Sequence, residues 1–268
     1  MLKIHETGVA GAPTIVFLHG LGVSSWMWTE QVETLSNDYH CLAIDLPGNG
    51  ESSELPWGSF ANSAVQVADV IRQKAAGGVA HVVGLSLGGY TALHLLATYP
   101  EVVVTMIVSG VTTRPFPRPW LVRPIVRLVK HALQWNWVIR LSAKAMQLPP
   151  EVLPLYRRDN KRLTPQTIQR VYDEVLQIEL PAALAEARNP LLVVAGGKEA
   201  RLVRESLPDL PRMMKTAVSA IAPDVHHGWN AEAPELFTTM IRCWIASQQL
   251  PHELTLVAGE YATLQFAR

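Results

Sequence analysis

From Ala75 to Pro100 the chain carries no Asp, Glu, Lys or Arg. An uncharged run of that length has two physical homes, the interior of a bilayer or the interior of a folded domain. Here it is broken by Gly77, Gly78, Gly84, Gly88 and Gly89 and carries His81, Ser86 and His94. A lipid-facing helix would be more evenly apolar. The run reads instead as a buried strand over residues 80–85, a tight turn, and a helix over 88–99.

Other segments repeat this alternation. Short apolar runs at 15–18, 40–45, 102–109 and 191–195 are separated by helical patterns at 26–35, 60–74 and 231–247. Continuous apolar strands alternating with helices predict an α/β fold with a mostly parallel, doubly wound sheet covered on both faces. The alternation stops between Arg114 and about Asn189, where nine prolines from Pro115 to Pro181 separate helical stretches that keep large apolar residues. These residues predict a helical insertion over 114–188, set into a core made of 1–113 and 189–250. Past Leu250 the helical pattern fades, and residues 251–268 are expected to be a tail or an extra strand.

The formal charge is zero, 23 basic against 23 acidic side chains. A balanced total argues against a nucleic-acid binder, and 49% apolar with 17% charged residues excludes disorder. The balance conceals a split: eleven bases and two acids (Glu151 and Asp159) lie between Arg114 and Arg162. Arg123, Arg127 and Lys130 fall on one helical face there. A cap helix with its apolar side inward and its basic side in water is the simpler expectation, a helix lying on a membrane surface the other. Cys41 and Cys243 offer neither a disulfide framework nor metal-ligand spacing. The first residues, Met1 to Glu6, lack the apolar core of a signal peptide. A cytoplasmic protein with no cofactor and no metal is expected.

The strongest local signal is Gly84-Leu85-Ser86-Leu87-Gly88-Gly89. Small residues flank the serine as they must where a strand turns sharply into a helix and leaves no room for Cβ atoms. Such a turn lifts the hydroxyl out at the carboxyl end of the sheet, beside a helix N-terminus that favours developing negative charge. Serine needs a base, and the base needs a partner that orients it. His19 and the pair His226-His227 stand at element ends. The pair lies after the last strand pattern, where a loop could reach back to Ser86.

Four motifs in this order resemble the α/β-hydrolase superfamily: Phe17-Leu18-His19-Gly20-Leu21-Gly22, Asp45-Leu46-Pro47-Gly48-Asn49-Gly50-Glu51-Ser52, the Ser86 turn, and the histidine loop ending Glu232-Ala233-Pro234-Glu235. The likeness covers 1–113 and 189–247, and the insertion only by position, where the family carries a cap. It implies Ser86 as nucleophile and His227, five residues before Glu232, as base. Glu199 takes the position where the family usually has Asp, with Asp224 and Asp209 as remote substitutes; Gly110 to Thr113 offer no acid. Backbone N–H groups of Leu87 and Leu21, with Gly22 as alternate, would form the oxyanion hole. His19 would hold the loop, and residues 45–52 would form a scaffold turn.

A serine nucleophile argues against the dehalogenase and epoxide-hydrolase chemistries of this fold. The resemblance implies hydrolysis of a small to medium, largely apolar carboxylic ester as the partner substrate. Lactone, thioester and C–C hydrolysis are alternatives, and a non-catalytic small-ligand binder is the alternative of another class. Trp26, Trp229 and Trp135 are expected to line an apolar acyl pocket.

Overall fold

The computed structural model describes residues 1–146 and 148–257. The chain begins with β1 (Lys3–Gly8), β2 (Thr14–Leu18), α1 (Thr29–Leu35), β3 (His40–Asp45), α2 (Phe60–Lys74), β4 (Ala80–Leu85), α3 (Leu87–Thr98) and β5 (Val103–Ser109). A helical stretch follows: α4 (Pro119–Val129), α5 (Asn136–Ala145), α6 (Leu153–Arg162) and α7 (Pro165–Leu176). The sheet then resumes with β6 (Leu191–Gly196), α8 (Arg201–Ser206), α9 (Asp209–Met213), β7 (Ala217–Ala222), α10 (Trp229–Glu232), α11 (Pro234–Ser247) and β8 (Thr255–Leu256). Of residues 251–268, Thr255 and Leu256 form that last strand, and 258–268 lie outside the described residues.

The described strands form one sheet in the order β1-β3-β2-β4-β5-β6-β7-β8. Only β1 against β3 and β8 against β7 run antiparallel; the inner pairs are parallel, with Val16 opposite Val82 and Val83 opposite Ile107. Alternate side chains of each inner strand enter different cores, because successive Cβ atoms point to opposite faces. Val16, Leu18, Leu42 and Ile44 pack with residues of α2 and α3, while Ile15, Phe17, Cys41 and Ala43 pack with residues of α1 and α11. This two-sided burial is why the strands read as unbroken apolar runs.

Chain order reverses around β2, which lies between β3 and β4. In a doubly wound sheet the loops leaving two such strands diverge, and a cleft opens at their carboxyl ends. The loops in question begin at His19 and Ser86, so topology alone brings these two motifs together. No helix among the described residues is long and apolar enough to cross a membrane.

The helical stretch is tied to the scaffold by one buried and one half-buried carboxylate. Asp159 of α6 accepts from Ser24 Oγ at 2.7 Å and Trp26 Nε1 at 2.6 Å. Glu174 of α7 accepts from Trp57 Nε1 at 3.0 Å and the Phe60 amide at 3.2 Å. Burial pushes the Glu174 carboxyl above the usual carboxylate range, and those two donors pull it back.

Candidate active site

Ser86 joins β4 to α3 with φ 55° and ψ −114°, a conformation that non-glycine residues rarely adopt. Its amide donates to the Ser109 carbonyl at 2.8 Å and its carbonyl accepts from the Tyr90 amide at 3.0 Å. The flanking glycines have a packing reason. A Cβ on Gly84 would sit 2.5 Å from the Gly88 carbonyl oxygen, and one on Gly88 would collide with the Leu18 backbone. The turn is therefore locked from three sides, and the Ser86 side chain faces a cavity.

His227 lines the same cavity, in the loop between β7 and α10. Its Nδ1 lies 2.9 Å from Oε2 of Glu199, whose side chain is buried. The other carboxylate oxygen, Oε1, accepts from the Gly196 amide at 3.0 Å, so the turn after β6 aims the acid at the imidazole. A carboxylate on Nδ1 holds that nitrogen as donor and leaves Nε2 as the basic atom. The other acids considered are occupied elsewhere: Asp209 is paired with Arg114 at 2.7 Å, and Asp224 stands in solvent beside Lys198. His226 turns away, its amide donating to Glu232 Oε2 at 2.7 Å.

The loop after β2 is held by groups that sequence reasoning did not single out. The Gly20 amide donates to Met27 Sδ at 3.4 Å and the Gly22 amide to Asn49 Oδ1 at 3.2 Å. Asn160 of α6 donates through Nδ2 to the Gly22 carbonyl at 2.8 Å. Gly22 is thus already engaged, whereas the Leu21 amide, like those of Val23 and Ser24, has no acceptor among the described residues. Leu87, first residue of α3, has an amide with no intrahelical acceptor. His19 is fully buried, with Nδ1 2.7 Å from the Gly20 carbonyl and Nε2 accepting from the Leu46 amide at 2.9 Å. Burial lowers its pKa, which keeps the ring neutral in this bridging role. Nothing in the sequence marks Asn160 for this loop, because it lies 138 positions away.

The cavity has a volume of about 570 Å³ and is lined mainly by apolar side chains. Leu21, Val23 and Met27 come from the scaffold; Leu133, Met146 and Leu155 come from the helical stretch. No group of three or more His, Cys, Asp and Glu among the described residues is arranged to hold a metal ion.

The model of the Alpha/beta hydrolase family matches residues 15–239. The chain belongs to this family. An AB hydrolase superfamily protein of Gibberella zeae is 28% identical over 251 residues, 90% of this chain and 83% of the relative. A pimeloyl-(acyl-carrier protein) methyl ester esterase of Nitrosomonas europaea is 26% identical over 252 residues, 89% of this chain and 98% of the relative. The solved structure of a thermophilic esterase from Thermogutta terrifontis aligns with a TM-score of 0.74 at 22% identity. It covers 91% of this chain and 92% of that one, a likeness of fold.

In this alpha/beta hydrolase the three tryptophans expected at an acyl pocket go separate ways. Trp26 lines the cavity. Trp229 does not: it is fully buried against Phe237, ring centroids 4.4 Å apart, and donates through Nε1 to Ser109 Oγ at 2.9 Å. As the first residue of α10 it packs into the core, while His227, two residues earlier, lines the cavity. Trp135 also lies off the lining, 55% exposed beside Trp137 on the outside of the helical stretch. The expected division of the basic helix needs the same correction. In α4, Trp120, Leu121, Ile125 and Leu128 are exposed to water, and Arg123 lies 3.6 Å from Asp173.

Proposed function

We propose that the protein is a serine hydrolase that cleaves small to medium, largely apolar carboxylic esters through an acyl-enzyme on Ser86. One observation carries the reading. Ser86 and His227 share the wall of an apolar cavity, and Glu199 is bound at 2.9 Å to the imidazole nitrogen on the side that leaves Nε2 as base. Residues 114–188 act as the cap of this cavity. The Nitrosomonas relative, a methyl ester esterase by name, agrees with ester chemistry.

Ser86 Oγ attacks the ester carbonyl as His227 Nε2 takes its proton, and Glu199 stabilises the imidazolium. The carbonyl oxygen becomes an oxyanion that accepts from the amides of Leu21 and Leu87. A single donor of this kind is worth roughly 10²–10³ in rate. The tetrahedral intermediate collapses, the alcohol leaves with the proton from His227, and an acyl ester remains on Ser86. Water then attacks that ester, with His227 as base again, and releases the acid. The cavity's apolar lining selects the acyl chain by burial, at about 25 cal/mol per Å² removed from water.

A fluorophosphonate probe tests the reading without knowledge of the natural ester. The native chain is expected to be labelled, and Ser86→Ala to remain unlabelled. Equal labelling of both, or no labelling together with no hydrolysis across a series of aryl esters, would overturn it.

A further inference from the structure

The helical stretch has an outer side that the cavity does not use. In α4, Val126 is buried and Val122 half-buried, packed among Leu163, Ile168 and Tyr172. Leu121, Ile125 and Leu128, at i, i+4 and i+7, face the opposite way and are 46%, 58% and 81% exposed. Trp120 stands beside them at 65%, and Trp135, Trp137 and Leu141 extend the surface along α5. Seven of the twelve large apolar side chains exposed among the described residues fall in these 22 positions. Single exposed apolar residues are ordinary, but such a concentration marks an interaction surface.

The charge of the segment that forms this surface is basic. Residues 114–150 contain seven Lys and Arg and no Asp or Glu. Arg118, Arg127, Arg140 and Lys144 are exposed. Arg140, next to Leu141, also lines a groove of about 450 Å³ between α5 and α6, together with Arg157, Arg158 and Lys161. Two of these are partly engaged, Arg158 with Asp159 and Lys161 with the Gln134 carbonyl.

We propose that this face docks on an anionic lipid surface, with the Trp, Leu and Ile side chains entering the interfacial layer and the cations pairing with phosphate headgroups. A second copy of the chain fits poorly. A two-fold contact would set this face against itself, mostly cation to cation, with Asp173 already beside Arg123. A folded protein partner would be received by an apolar groove, whereas these side chains protrude and the adjoining groove is cationic. Protruding Trp and Leu flanked by Arg and Lys suit the boundary between acyl chains and headgroups. Leu133 and Met146, which line the cavity, belong to the same stretch. Docking would therefore place the cavity where lipophilic esters concentrate, a consequence that rests on the ester reading, although the docking itself does not.

Co-sedimentation of the full chain with vesicles of phosphatidylcholine doped with phosphatidylglycerol, and of phosphatidylcholine alone, tests the proposal. The protein is expected in the pellet with the anionic vesicles at low salt and largely in the supernatant at high salt or with the neutral ones. Removing two exposed cations, Arg127→Gln with Arg140→Gln, should lower binding about 30-fold. Leu121→Ser with Ile125→Ser and Leu128→Ser should also release it, with the melting temperature unchanged because those side chains already face water. Ser86→Ala should bind as the native chain does, which separates failure of docking from failure of the ester reading. Three results would overturn docking. One is protein in the supernatant in every arm; another is equal binding to both vesicle types. The third is a dimer in analytical ultracentrifugation that the triple serine variant dissociates.

Discussion

On the scaffold side of the cavity the groups proposed to react are held largely by backbone. Ser86 is clamped between Ser109 and Tyr90, the Glu199 carboxylate is seated on the Gly196 amide, and the Leu21 loop is pinned at Gly20 and Gly22. On the helical side the lining is made of side chains such as Leu133, Met146 and Leu155, offered by helices that are apolar outside as well as inside. The two walls face different physical demands. Acyl transfer needs donors and acceptors placed to within about 0.5 Å, whereas burying an acyl chain needs area and volume, which tolerate substitution. Precision is concentrated where bonds would change.

The largest effects are expected on the scaffold wall. Ser86→Ala or His227→Ala should lower kcat for an aryl ester by about 10⁴- to 10⁶-fold. Glu199→Gln, which keeps shape but removes charge, should cost about 10⁴-fold, with the fold and melting temperature retained. A loss below tenfold for any of them would break the contrast between the walls.

The link between the walls comes next. Asp159→Ala would leave Ser24 Oγ and Trp26 Nε1 without their buried acceptor. It should cost about 2–4 kcal/mol in urea unfolding. Leu128→Ser, on the outer surface, should stay within about 0.5 kcal/mol. Similar values for the two would show that α6 does not anchor the helical stretch.

On the lining itself, Leu155→Ala should shift kcat/KM toward longer acyl chains by about tenfold, with little change for an acetyl ester. Measurement across an aryl ester series of increasing chain length checks this. An equal loss for every chain length would assign Leu155 to the chemistry instead.

A separate effect concerns the strand that leads into Ser86. Burial lowers the pKa of His81 on β4 to about 4, and its Nδ1 lies 2.9 Å from Thr105 Oγ1. The unfolded chain binds this proton near pH 6.5, so between those values it holds more protons than the native state. Stability is then lost as pH falls from about 6.5 toward 4, and this contribution levels off below. Comparing denaturation midpoints at several pH values should show a shallower acid loss in His81→Gln than in the native chain.

The uncharged run between Ala75 and Pro100 already carried the strand, turn and helix around Ser86, because a locked turn leaves glycines and no charge. Two strands were less legible. β1 alternates poorly, being largely exposed along an edge, and β7 is Ala-Val-Ser-Ala-Ile-Ala, small residues with no bulky run. Choosing His227 over His226 required the family likeness, since adjacent residues differ in direction, which composition does not record. Trp229 and Trp135 were misplaced for the same reason, whereas Trp26 does line the cavity: proximity in sequence to His227 or to the cap says nothing about which way an indole points. Asn160 and Asp159 were invisible as loop anchors because their contacts cross more than 130 positions. In α4 the sequence leaves two placements for the apolar side, inward over the cavity or outward at a surface, because helical periodicity marks a face without saying what covers it.

The central claim is that Ser86 carries the acyl group between two half-reactions. The most direct measurement is peptide mapping by mass spectrometry after a rapid acid quench of the native protein with a nitrophenyl ester. An added acyl mass is expected on the peptide containing Ser86, absent when His227→Ala is treated alike. Unmodified Ser86 during steady turnover, or turnover that survives Ser86→Ala, would contradict it.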